Sequence, residues 1–200
     1  MKKVVDTILQ RDAQGTIELT FDAVELSQRI VWISEISMES AISFARRIRF
    51  LVTENSQPIT VVISSSGGEV QAGLAILDAI TTCGVDVNTC CIGTAYSMGA
   101  ILLASGKHRA ILPNSSVMIH QPLINSCGGG NCDTIESLSK NLSQIKEKLN
   151  TILSHYSGKP IEELEKVTKG DFFMTAQEAV DFGLVDEVVS FEKLFLSKPI

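Results

Sequence analysis

Basic residues, aromatic residues and long apolar runs are all scarce in this sequence of 200 residues. Its 17 lysines and arginines are outnumbered by 23 aspartates and glutamates, so the net charge is -6. This balance argues against nucleic acid or an anionic membrane as the main partner. No apolar run approaches the roughly 20 residues of a membrane-spanning helix, and residues 1–15 lack the apolar core of a signal peptide. We therefore expect a cytoplasmic protein.

Cysteine is also sparse, and its five copies are Cys83, Cys90, Cys91, Cys127 and Cys132. The number is odd, and the Cys127–Cys132 spacing lacks the second pair of ligands that a zinc site needs. We expect reduced thiols, no metal and no cofactor. A Cys127–Cys132 disulfide is the alternative.

Apolar residues make up 44% of the chain, enough for one well-buried domain over residues 1–200. Hydrophobic periodicity predicts strands at 16–21, 29–33, 59–64, 85–92, 107–112, 116–119 and 184–189. It predicts helices at 38–55, 70–83, 132–156, 161–167 and 176–182, with a further one after Ser97. This alternation predicts an α/β fold with mostly parallel strands.

The segment Gly93–Ala100 joins a strand to an apolar helix and holds Ser97 among small residues. Such a turn suits a nucleophilic serine, because small neighbours admit another backbone and the helix N-terminus favours developing negative charge. An ordinary helix N-cap is the alternative interpretation.

A serine nucleophile needs a base, and the sequence contains three histidines. His108 is flanked by two cationic residues and fits a solvated strand end, and His155 fits the end of a long helix. His120 ends an apolar strand before Gln121 and Pro122, so it can project into a cleft. A buried, hydrogen-bonded core histidine is the alternative.

Oxyanion donors are predicted at the Gly67-Gly68 turn and at the amide of Met98, which directly follows the serine. An ordinary turn is the alternative for the glycine pair. Asp171, beside the apolar residues 172–174, is the favoured carboxylate to orient the histidine. The other candidates for that role are Asp133, Asp181 and Asp186.

Three motifs, Gly93–Ala100, Leu112–Pro122 and Asp171–Asp186, together resemble ClpP, the proteolytic subunit of the ATP-dependent Clp proteases. The resemblance runs in order from about Val61 to Val189. It implies a ClpP/crotonase-like spiral of β-β-α units with a protruding handle helix.

By position, the resemblance makes Ser97 the nucleophile, His120 the general base and Asp171 the orienting acid of a serine endopeptidase. The amides of Gly68 and Met98 would form the oxyanion hole. An extended peptide would add as a strand beside the substrate-binding residues Gly67, Glu69, Val70, Leu123, Ile124 and Asn125. Cleavage would be broad, with a preference for apolar residues.

The resemblance also implies partners. Residues 121–156 would form the handle, whose apolar stripe faces another subunit across two stacked heptameric rings. Residues 1–30, which match the family poorly, would form the axial region that meets a Clp-type ATPase. Substrates would be unfolded polypeptides, and a ClpP paralogue could share the ring.

Four departures from the family pattern stand out. Ser66 replaces a proline before the glycine pair, and Gly170 replaces an arginine that helps couple the rings. The interval from Ser97 to His120 is about two residues short, lost near Lys107. The loop at residues 125–131 is unusually rich in glycine and borders the expected substrate groove.

Three other functions compete with the peptidase. A crotonase-type acyl-CoA enzyme would need neither the serine nor the triad order, and an α/β-hydrolase esterase would have the order Ser–Asp–His. A catalytically silent paralogue would act as a structural or regulatory ring subunit.

Overall fold

Strands and helices alternate along the described residues, 7–12, 15–123 and 130–195, of the computed structural model. The strands are β1 (Thr7–Asp12), β2 (Gly15–Thr20), β3 (Ile30–Ile33), β4 (Ile59–Ser65), β5 (Val87–Tyr96), β6 (Arg109–Ile111), β7 (Ser116–Ile119), β8 (Phe172–Thr175) and β9 (Glu187–Val188). The helices are α1 (Phe21–Ser27), α2 (Met38–Glu54), α3 (Val70–Thr82), α4 (Met98–Ala104), α5 (Cys132–Ser157), α6 (Ile161–Val167), α7 (Ala176–Phe182) and α8 (Phe191–Phe195). The predicted α/β class is confirmed.

The main sheet has the order β3-β4-β5-β6-β9, with β7 pairing with both β5 and β8. Its strand pairs are parallel except for β7 with β8, so the predicted mostly parallel pairing is confirmed. The strands β1 and β2 form a separate antiparallel hairpin. Because parallel strands end at the same edge, the segments after β4, β5 and β7 converge there.

Strand β5 divides its length between two neighbours. Its residues Thr89–Cys91 pair with β6, whereas Thr94–Tyr96 pair with β7. Between them Gly93 has a φ of 78°, and the register with β4 shifts at this point. The sequence predicts that the strand ends at Ile92, but the structure continues it to Tyr96. The glycine forms a bulge within the strand rather than a turn after it.

Helix α4 lies at the centre of the core. All of its seven residues are buried, and it contacts α3, α5, β4 and β5. Burying each of its large aliphatic side chains contributes about 1.5–3 kcal/mol. The residue directly before α4 is therefore held on a rigid base, which matters because that residue is Ser97.

The long helix α5 confirms the predicted helix at 132–156. Its second half packs on the core through Leu149 and Leu153, whereas Ile135 and Leu138 in its first half are exposed. The expectation that the whole apolar stripe faces another subunit is therefore wrong for the second half, which this chain buries itself. Within the described residues, no helix combines the length and apolar character needed to cross a membrane.

Candidate active site

Ser97 occupies a strained turn between β5 and α4. Its φ of 55° and ψ of -118° lie where side chains other than glycine cost about 1–3 kcal/mol. The surroundings hold it there, since its amide donates to the Met118 carbonyl at 2.8 Å and α4 is buried behind it. Strain of this kind at the end of a strand is typical of an exposed nucleophile.

His120 directly follows β7, and its Nε2 lies 2.8 Å from Ser97 Oγ. The imidazole side chain is only 14% exposed. The parallel register that pairs Tyr96 with Met118 brings the ends of β5 and β7 together. With the proton on Nδ1, Nε2 accepts the hydrogen bond from the serine hydroxyl.

Asp171 stands directly before β8, and its Oδ1 lies 3.5 Å from His120 Nδ1. The β7–β8 register pairs Ile119 with Phe172, so the next pair along this antiparallel ladder is His120 with Asp171. The separation is longer than a good N–H···O hydrogen bond, and the aspartate side chain is 57% exposed. The carboxylate is therefore close to the imidazole but loosely held.

The other candidate carboxylates lie elsewhere. Asp186 is bound by Arg109, with Nε donating to Oδ1 at 3.0 Å. Burial favours a higher pKa for Asp186, but the hydrogen bonds and charge of Arg109 outweigh it, so the pKa is lowered overall. Asp181 accepts from Gln177 at 2.9 Å, and Asp133 is exposed in the first turn of α5.

The other two histidines lie outside the cleft. His108 is half-exposed and its Nε2 lies 2.9 Å from Glu187 Oε1. His155 is exposed near the end of α5, where its ring packs edge-on against Tyr156. Of the three histidines, His120 is the one in contact with a serine hydroxyl.

The Gly67-Gly68 turn presents one free amide. Ser65 Oγ accepts from the Gly67 amide at 3.1 Å, and the Ile36 carbonyl accepts from the Glu69 amide at 2.9 Å. Among the hydrogen bonds of the described residues, none takes up the Gly68 amide between them. The Met98 amide opens α4, where the first N–H groups have no acceptor within the helix.

Both positions require glycine, because other atoms lie too close for a Cβ and because φ is positive. A Cβ on Gly67, whose φ is 100°, would lie 2.8 Å from Ser97 Cβ. A Cβ on Gly68, whose φ is 158°, would overlap the carbonyl oxygen of Ile36. The absence of side chains lets the turn lie against the serine.

We expect Gly68→Ala to lower the free energy of unfolding by about 2 kcal/mol or more, because the new methyl must displace backbone. Gly84→Ala is the matched control, since its φ is also positive, at 88°, but its Cβ would meet no atom within 4 Å. That control should cost about 1 kcal/mol, from backbone strain alone. Denaturant unfolding measures both, and equal losses would contradict the steric argument.

A cleft of about 570 Å³ contains Ser97 and His120. Its apolar lining residues are Ile36, Val70, Met98, Ile101, Pro122, Leu123 and Leu149. The proposed substrate residues Gly67 and Glu69 also line it, as do Val70 and Leu123, whereas Ile124 and Asn125 lie outside the described residues. A second cavity of about 410 Å³, between β3 and α2, contains none of the proposed catalytic residues.

The described residues contain no group of three or more His, Cys, Asp or Glu side chains placed to hold a metal ion. Cys90 and Cys91 are buried in β5, where burial raises the pKa of each thiol to about 12. Thiols that titrate so high are poor nucleophiles at neutral pH. Cys83 and Cys132 are unpaired, and Cys127 lies outside the described residues.

Sequence reasoning missed two residues that shape the site. Met118 accepts a hydrogen bond from the Ser97 amide through its carbonyl, and Tyr96 contacts the neighbouring strand β7 and, beyond it, β8. Met118 acts through its backbone, which leaves no signal in the side-chain pattern. The position of Tyr96 could have been noticed in the sequence, because it is an aromatic residue directly before the candidate serine.

The protein has an α/β fold with a mostly parallel sheet. At the carboxyl edge of that sheet, a serine and a histidine are in hydrogen-bond contact. The Clp protease family model matches residues 15–192, and the chain belongs to that family. The fold is therefore of the ClpP type, in a family that is in general one of serine peptidases. The family match begins at the first residue of β2, whereas the resemblance seen in the sequence begins at about Val61. The motifs alone therefore underestimate how much of the chain matches the family.

Proposed function

We propose that this protein is a serine endopeptidase subunit that cleaves unfolded polypeptides inside a closed oligomeric chamber. The contact of 2.8 Å between His120 Nε2 and the oxygen of a strained serine is the observation that carries the proposal. Membership of the Clp protease family supports the same reaction class.

In the proposed mechanism Ser97 Oγ attacks the scissile carbonyl while His120 Nε2 takes the hydroxyl proton. The negative charge that forms on the carbonyl oxygen is stabilised by the amides of Gly68 and Met98. The imidazolium, stabilised by Asp171, then protonates the leaving amine and the peptide bond breaks. Water, activated by the same imidazole, hydrolyses the acyl-enzyme.

The residues that line the cleft support a preference for apolar and basic residues in the substrate. Its aliphatic floor suits an apolar side chain, while Glu35 and Glu69 are both exposed and form no ion pair among the described residues. Glu69 precedes α3 without capping it, so its carboxylate is available to substrate. Peptides with a basic residue near the cleavage site should therefore be favoured.

We expect Glu69→Gln to lower kcat/KM for a lysine-containing peptide by about two- to fivefold, the range of an exposed ion pair. The value for a neutral peptide of the same length should stay unchanged. Glu39→Gln is the matched control, because it removes the same charge from the neighbouring cavity instead. An equal loss for both peptides would refute the role of the charge.

Assembly is supported by exposed apolar side chains in two regions. The hairpin, α1, β3 and α2 expose Leu9, Ile17, Phe21, Trp32, Met38, Ile42 and Phe50. The region of α5 and β8 exposes Leu123, Ile135, Leu138 and Phe173. Such surfaces are typical of protein interfaces, and the family suggests stacked heptameric rings and a Clp-type ATPase. A cytoplasmic location is part of the same proposal.

A catalytically silent ring subunit is the second candidate. The observation that favours it is the exposed Asp171, whose carboxylate lies 3.5 Å from the imidazole. In this case the chain would complete a ring shared with a ClpP paralogue.

Labelling with a fluorophosphonate after size fractionation separates the two candidates. The peptidase predicts labelling confined to a large particle and lost in Ser97→Ala. A large particle that hydrolyses no peptide and takes up no label would instead support the silent subunit. Labelling retained in Ser97→Ala would contradict the choice of nucleophile.

A further inference from the structure

Tyr96 is the last residue of β5 and directly precedes Ser97. The strands β5 and β7 end immediately before Ser97 and His120, and β8 begins immediately after Asp171. The relative position of the three proposed catalytic residues is thus set by how these strands pack. Tyr96 contacts both of the other strands.

Its first contact is polar. The Tyr96 hydroxyl lies 2.8 Å from Ser116 Oγ, at the start of β7. This hydrogen bond reinforces the pairing of Thr94 with Ser116 two residues earlier in β5. It links the strand before the serine to the strand before the histidine.

Its second contact is aromatic. The rings of Tyr96 and Phe173 meet edge to face, with centroids 5.5 Å apart and an angle of 87° between the ring planes. Both residues are in register with Met118, so the two rings meet across β7. Edge-to-face packing is the favourable geometry for an aromatic pair. It links β5 to the strand that follows Asp171.

Strand β8 depends on such support because it has four residues and pairs with β7 alone among the described strands. Phe172 packs against Phe182 of α7, while the next residue, Phe173, contacts Tyr96. Successive residues of a strand point to opposite faces, so these two contacts hold β8 from both sides. Asp171 is exposed, and within the described part of the chain its side chain has one polar contact, with His120 at 3.5 Å.

We propose that Tyr96 is a positioning residue that holds β8 against β7 and so sets the distance from Asp171 to His120. This inference rests on the proposed peptidase function. Tyr96 touches neither the serine oxygen nor the imidazole in the interactions described above, so it would act through Asp171.

The test compares Tyr96→Ala, Tyr96→Phe and Phe173→Leu in the assembled protein. Removing the ring should lower kcat by about tenfold or more, with KM within about twofold, because small displacements of catalytic groups are costly. Tyr96→Phe keeps the ring and should restore most of kcat. Phe173→Leu removes the same contact at a residue that is 57% exposed, and size-exclusion chromatography of each variant checks that the assembly is kept.

A double-mutant cycle separates positioning from general stability. In an Asp171→Asn background, Tyr96→Ala should cause no further loss of kcat, since the group it positions is already lost. A full additional loss in that background, or unchanged kcat in both ring-removing variants, would overturn the inference.

Hydrogen exchange of the peptide covering residues 171–175 gives a readout independent of activity. Exchange should be faster in Tyr96→Ala than in Tyr96→Phe. Failure of the wild type to hydrolyse peptide or take up fluorophosphonate would refute the proposed function. In that case equal exchange in the two variants would still refute the inference that Tyr96 holds β8 against β7.

Discussion

Replacing Ser97 with alanine should lower kcat for peptide hydrolysis by about 10⁴-fold or more, because the nucleophile is lost. Alanine keeps the Cβ and can occupy the same turn, whose amide hydrogen bond to Met118 is made by the backbone. The fold and the size of the assembly should therefore be unchanged. Peptide hydrolysis and size-exclusion chromatography of the same sample measure both quantities.

Ser66→Ala is the matched control for this substitution. Ser66 lines the same cleft, but the hydrogen bond to His120 is made by Ser97. Ser66→Ala should retain wild-type kcat to within about threefold, as expected for a side chain outside the reaction. Hydrolysis by Ser97→Ala at the wild-type rate would show that another group performs the attack.

Replacing Asp171 with asparagine should lower kcat by about 10²–10³-fold. The imidazole loses the acceptor that favours the tautomer with a proton on Nδ1 and that stabilises the imidazolium. This loss of kcat is smaller than a buried triad aspartate would give. The Asp171 side chain is 57% exposed and its carboxylate lies 3.5 Å from the imidazole, so water can partly replace it. Steady-state kinetics with a fluorogenic peptide measures the effect.

Asp181→Asn controls for the loss of one carboxylate from the chain. Asp181 accepts a hydrogen bond from Gln177 within α7, away from the cleft. Its replacement should leave kcat unchanged. Full activity in Asp171→Asn, or an equal loss in both variants, would show that Asp171 is not the orienting acid.

The sequence predicts the outline of the fold because its helices have clear boundaries. α5 begins and ends within a residue of the prediction, with Asn131 capping its start and Gly158 in the left-handed region at its end. α7 was predicted correctly from Thr175, whose hydroxyl accepts from the Glu178 amide. Such signals are local and can therefore be recognised in the sequence.

The short strands are less predictable because distant partners create them. β8 has four residues, and it is a strand because β7 lies beside it. The strand predicted at 184–189 is reduced to Glu187–Val188, since Leu184 and Val185 bury their side chains without pairing. The hairpin strand β1 was not predicted, because its sequence lacks the apolar–polar alternation of a half-buried strand.

The candidate site also has features that the sequence predicts and features that it does not. The sequence indicated Ser97 and His120 through their positions after apolar strands, and the structure brings them into contact. The roles of all the proposed site residues remain predictions until the variants above are measured. Neither the distance from Asp171 to His120 nor the contacts of Tyr96 could be inferred, because both depend on the register of β7 with its neighbours.

That register also says where the chain tolerates changes of length. The segment between α4 and β6 exposes Lys107 and His108 and bonds to the first half of β5 rather than to β7, so a change of length near Lys107 need not move β7 along β5. The interval from Ser97 to His120 can therefore be about two residues short and still bring the two side chains together. One residue inserted between Met118 and His120 would instead turn the imidazole to the opposite face of the sheet. Insertional mutagenesis should find the first segment permissive and the second intolerant.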